Sequence, residues 1–134
     1  MTRPAQVVSM AFGLAVGSVA VGGVSHAGPP PPCSFTLSSP QVVQSSGATM
    51  VTAVAELAGC GPGAGPYSTV ACLQPRDTDS VTQCAQAHGS DPARVFVTYR
   101  HGVTYIATGR GCAAWGGQPP APDCQVLGPF SATL

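Results

Sequence analysis

The chain has 134 residues, only five basic and five acidic, 7% charged in all with a formal net charge of zero, where roughly a quarter charged is usual. That length fits one small domain, and the neutral balance excludes the basic footprint of nucleic-acid binding and the polybasic segment that anionic lipid attracts. The missing charge is replaced by 17 Gly, 14 Pro and many Ser and Thr, with neither Lys nor Asn present.

Arg3 is the only charge before Glu56, and residues 7–24 form an unbroken apolar or small run. Ser25-His26-Ala27 then places small residues one and three positions before a cut. A basic start, an apolar stretch and a small-x-small site predict a cleaved secretory signal over residues 1–27, with the mature chain starting at Gly28. Gly13, Gly17, Gly22 and Gly23 oppose the alternative of a retained anchor. No twin arginines occur, so the general export route applies, with a secreted product and no stable membrane insertion after cleavage. Leu57-Ala58-Gly59-Cys60 has the form of a lipoprotein box, but it lies far behind the signal and predicts no lipid there.

Residues 28–32 read as a proline-rich spacer and residues 33–134 as the domain. Cys33, Cys60, Cys72, Cys84, Cys112 and Cys124 all lie in the domain. An even count in an exported chain predicts three disulfides. No Cys-x-x-Cys pair occurs and His88 and His101 are isolated, so no metal site is expected.

Period-two patterning dominates the domain. Cys33, Phe35 and Leu37 alternate with Ser34, Thr36 and Ser38, the mark of a half-buried strand. Val51, Ala53, Ala55 and Leu57 share one face of the next run. Residues 67–73 read as a third strand, and residues 80–87 as a helical turn. Residues 95–99 and 103–108 flank His101-Gly102, a two-residue turn that predicts a hairpin, and residues 125–134 close the chain with a last strand. Six or seven short strands predict an all-β fold, a small antiparallel β-sandwich of immunoglobulin-like architecture. The true immunoglobulin signature is missing: no Trp lies between a suitable Cys pair and no Tyr stands two residues before a Cys.

Cys72 with Cys84 and Cys112 with Cys124 would each clip the base of a hairpin-like excursion, which leaves Cys33 with Cys60. In that last pairing Leu37 falls opposite Glu56, so the two apolar faces miss by one residue. A bulge at Pro40 or Gly59 would restore the register; without one, the alternative is an inter-sheet bridge such as Cys60 with Cys112.

The Ala-rich signal with its small-x-Ala site, the proline run, the Cys-x-Phe-x-Leu-Ser-x-Pro segment from Cys33 and the Gly-Pro-Phe-Ser-Ala-Thr-Leu tail resemble small exported six-cysteine proteins of mycobacteria and related actinobacteria. The resemblance implies an extracellular location and little about chemistry.

No residues are spaced for catalysis. His88-Gly89-Ser90-Asp91 holds the three residue types of a serine hydrolase, but neighbours in one loop rarely form the required relay, and no Gly-x-Ser-x-Gly elbow occurs. Asp77-Thr78-Asp79-Ser80 begins like a calcium loop, but Val81 and Thr82 stand where ligands and the turn glycine belong. The expectation is therefore a non-enzymatic extracellular binding module without cofactor, whose partner is a protein or envelope component. Arg76 in the Cys72–Cys84 excursion and Trp115 in the Cys112–Cys124 excursion are the candidate interaction residues, both types that anchor interfaces. Tyr99, Tyr105, Phe96 and Trp115 could instead form an aromatic patch, though core packing is the simpler expectation. The alternative function is a secreted protease inhibitor that presents Arg76 from the stapled loop.

Overall fold

A computed structural model describes residues 30–77, 79–116 and 123–134. The predicted signal segment and most of the proline loop before Asp123 lie outside the described residues. The elements are β1 (Cys33–Leu37), β2 (Gln41–Ser45), β3 (Ala48–Cys60), β4 (Ala64–Pro75), β5 (Gln83–His88), β6 (Ala93–Thr98), β7 (Thr104–Trp115) and β8 (Asp123–Thr133). They form two antiparallel sheets. In the first, β1 and β2 run end to end along one side of β3 and β6 pairs its other side. In the second the order is β5-β4-β7-β8. The all-β, sandwich-like fold predicted from the alternation is what the chain adopts.

The β2–β3 hairpin turns at Ser46-Gly47, whose φ values of 52° and 79° are both left-handed. That is the two-residue geometry whose twist matches the flanking strands. Between β1 and β2 the ladder is carried by Ser38, whose N–H donates to the Val54 carbonyl at 2.9 Å while its hydroxyl accepts the Val54 N–H at 2.9 Å. The register problem is solved by a bulge. Cys33 faces Cys60 and Ser34 faces Gly59, but Phe35 faces Leu57, so Ala58 is left unpaired beside Gly59. Leu37 then meets Ala55 instead of Glu56, and the apolar faces coincide.

The core lies between the sheets. Phe35, Leu37, Val51, Ala53, Ala55, Val95 and Val97 from the first meet Ala71, Leu73, Tyr105, Ala107 and Leu127 from the second. The disulfides are Cys33–Cys60, Cys72–Cys84 and Cys112–Cys124, each between directly opposed residues of neighbouring strands. All six cysteines are oxidised and no bridge crosses between the sheets.

Two expectations are corrected. Of the region read as a helical turn at residues 80–87, residues 83–87 lie in β5, held to β4 by the Cys72–Cys84 rung and by Ala71 opposite Ala85. The hairpin about His101-Gly102 does not form, because β6 and β7 belong to different sheets. Residues 99–103 instead cross between the layers. The Gly102 N–H donates to the Leu134 carbonyl at 2.5 Å, and the buried Tyr105 hydroxyl donates to Thr98 O at 3.0 Å and accepts the Arg100 N–H at 2.8 Å. One side chain thus satisfies two backbone groups of the crossing, in the manner of a tyrosine corner. Short-range turn chemistry lost to tertiary pairing here: β7 takes β4 and β8 as its neighbours.

Candidate functional site

The two interaction residues picked from sequence lie at opposite ends of the second sheet. Trp115 pairs with Ala64 and Tyr105 with Pro75, so Arg76 begins where the β4–β7 ladder ends. Their backbones are roughly 35–40 Å apart at the usual strand rise. They do not form one surface. The Trp115 indole rests on the loop after β3: a β-carbon at Gly61 would stand 3.0 Å from its Cη2. The Gly116 N–H fixes the same corner by donating to Gly63 O at 2.6 Å. Packing is therefore the first role of this Trp. The Arg76 N–H donates to the Thr104 carbonyl at 2.7 Å, which extends the ladder by one bond.

Asp77 and Ser80 of the stapled excursion are tied to Arg100. Asp77 accepts hydrogen bonds from the Ser80 hydroxyl and from Arg100 Nη2, the latter an ion pair at 2.6 Å. The Ser80 bond first, and the Arg100 guanidinium second, hold the Asp77 carboxyl below its usual range. Asp77 in turn raises the Arg100 guanidinium further. Both groups are exposed, so the pair orders the loop more than it stabilises the fold.

Beside this loop lies a cleft of about 420 Å³. β5 and β6 are joined by the turn at residues 89–92, and the cleft opens between their far ends. One wall is Pro75, Ser80, Val81 and Gln83; the other is Met50, Phe96, Val97, Thr98 and Arg100. Phe96 is 41% exposed and Val81 74% exposed, so the cleft offers apolar surface to solvent next to a fixed guanidinium. Phe96 alternates with the buried Val95 and Val97, and that phase is the sequence signal for it. Nothing local in the sequence shows that Val81 and Met50 approach the same cleft, because they belong to different layers.

His88-Gly89-Ser90-Asp91 is the β5–β6 turn, closed by the Asp91 N–H on the His88 carbonyl at 3.3 Å, and Gly89 takes a φ of 62° there. Tyr105 is buried in the core, whereas the Tyr99 hydroxyl lies 3.2 Å from His101 Nδ1 at the surface. The four aromatics do not form a patch. Among the described residues no three His, Cys, Asp or Glu side chains gather as metal ligands, and no helix is long and apolar enough to cross a membrane. No protein family, curated protein or solved structure matches the chain.

Proposed function

We propose that the protein is an exported binding module rather than a catalyst, and that it takes a protein or envelope component in the cleft between β5 and β6. The observation that carries this reading is the cleft itself: exposed Phe96 and Val81 beside Arg100, walled by a loop whose base is closed by Cys72–Cys84. A stapled, ion-paired loop has already lost much of the freedom that binding would otherwise cost. Arg100 and an aromatic are also the residue types that dominate interface energetics. The protease-inhibitor reading draws less support. An inhibitory loop offers an extended backbone to its enzyme as an added strand, and the Arg76 N–H is committed to Thr104.

The test places a photo-crosslinking residue at Val81, and in a second variant at Val42, which is 43% exposed on the opposite edge of the first sheet. Irradiation of the exported protein in its own culture should give a discrete adduct from position 81 that Phe96→Ala abolishes. Equal adducts from both positions, or none from 81, would remove the cleft as the binding site.

A further inference from the structure

The outer face of the second sheet, β5-β4-β7-β8, carries a depression separate from the β5–β6 cleft. Val70 and Cys72 alternate along β4 with the buried Ala71 and Leu73, so they point outward. Cross-strand pairing then sets Gln86, Val70, Arg110 and Val126 side by side across β5, β4, β7 and β8. His88, Ser68, Cys112 and Cys124 form the adjoining row, stiffened by the Cys112–Cys124 bridge. A bulge at Tyr67 between Pro66 and Ser68 leaves Tyr67 60% exposed. Tyr67, Ser68, Val70, Gln86, Arg110 and the bridge line a depression of about 260 Å³.

Arg110 is the one Asp, Glu, Lys or Arg side chain in these two rows, and among the described residues it has no ion-pair partner. Its cross-strand neighbours, Val70 and Val126, offer no side-chain acceptor. An isolated guanidinium is a two-pronged donor for a carboxylate. Gln86 stands two strands away, about 10 Å, with Val70 as the floor between them. The volume lies below the roughly 300–1,000 Å³ of pockets for drug-sized ligands, which points to one ring of a larger molecule.

We propose that this face binds an acidic sugar residue. Arg110 holds the carboxylate, the Tyr67 ring covers the apolar face of the sugar, and the Gln86 amide and Ser68 hydroxyl meet its hydroxyl groups. An acidic peptide is the weaker fit. β4 and β7 are interior strands, paired on both sides, so the face offers side chains and no row of free backbone groups for a peptide to pair with.

Titration of the purified protein with trigalacturonate, followed by amide chemical shifts, tests the site. The parallel arms are its neutral methyl ester, triglutamate and inorganic phosphate. Trigalacturonate should perturb residues 67–70, 86 and 110. Loss of the charge-assisted pair, by esterification or by Arg110→Gln, should weaken binding by about tenfold or more. Tyr67→Ala should weaken it as well, which separates a sugar-stacking site from a bare charge. The proposal is overturned if trigalacturonate leaves these signals unmoved or if Arg110→Gln binds it as well as the parent. Triglutamate or phosphate matching it would overturn it equally, by identifying a peptide site or a generic oxyanion site. The crosslinks at position 81 report on the other cleft and stand or fall independently.

Discussion

A β-carbon added at Gly111 would overlap the Phe35 ring at Cγ and both Cδ atoms, so the two sheets meet there as glycine against aromatic with nothing between them. Phe35 comes from β1 and is buried, and Gly111 is inward-facing on β7. The constraint is steric, because Gly111 is not among the glycines with left-handed φ.

Gly111→Ala should therefore destabilise the protein by about 3 kcal/mol, the upper end of overpacking costs. Gly109→Ala, where the new carbon would stand 3.0 Å from Val70 O and 3.4 Å from Leu37 Cδ1, should cost about half as much. Urea unfolding of Gly111→Ala combined with Phe35→Leu checks the cause. The double variant should recover at least about 1 kcal/mol relative to the sum of the singles, as coupled neighbours do. Strict additivity would show that the ring is not what the methyl meets.

Tyr105→Phe removes a hydroxyl that serves Thr98 O and the Arg100 N–H at once. One backbone group ends β6 and the other lies in the crossing that follows it, and stranding them should cost about 1–3 kcal/mol. Amide exchange should accelerate most at Arg100. Exchange unchanged there would mean that water replaces the hydroxyl without loss.

The alternation of Cys33, Phe35 and Leu37, and of Val51, Ala53 and Ala55, made the sheet faces legible because burial follows period two directly. The same arithmetic exposed the register mismatch that the Ala58 bulge removes. His101-Gly102 misled because a turn signal is local, whereas the choice between hairpin and crossover depends on which strand β7 pairs with. β5 was missed because Ser80-Val81-Thr82-Gln83 lacks alternation, and its strand begins only at Gln83. The cleft and the Arg110 face were illegible for a related reason. Phe96 with Val81, and Arg110 with Gln86, become neighbours only through sheet order, which no spacing along the chain encodes.

The Asp77 carboxyl titrates below its ordinary range because Ser80 and Arg100 stabilise the anion. A folded-state value below the unfolded one means the interaction is complete above the unfolded value and is lost as pH falls through the folded one. Acidification should therefore release Asp77 from Arg100 and Ser80, while the sheets persist. The Arg100 and Ser80 signals should titrate with a midpoint below the ordinary carboxylate range, and Asp77→Asn should abolish that step. A midpoint within or above that range would show that the loop does not hold the carboxylate as drawn.

The three disulfides close loops of unequal length, with sequence separations of 27 for Cys33–Cys60 and 12 for each of the others. Loop-closure entropy predicts about 3.5 kcal/mol for the first and about 2.8 kcal/mol for each short loop. Paired Cys→Ala replacements, unfolded in guanidinium without reductant, should rank in that order. The two short-loop variants should nevertheless differ in function. Cys72–Cys84 closes the base of the cleft wall, and its loss should weaken crosslinking from position 81 even under conditions where the sheets remain folded. Cys112–Cys124 lies in the β7–β8 ladder, away from that wall, and its loss should leave crosslinking intact while reducing stability by a similar amount. Equal loss of crosslinking in both variants would mean that global stability, not the stapled loop, governs binding at the cleft.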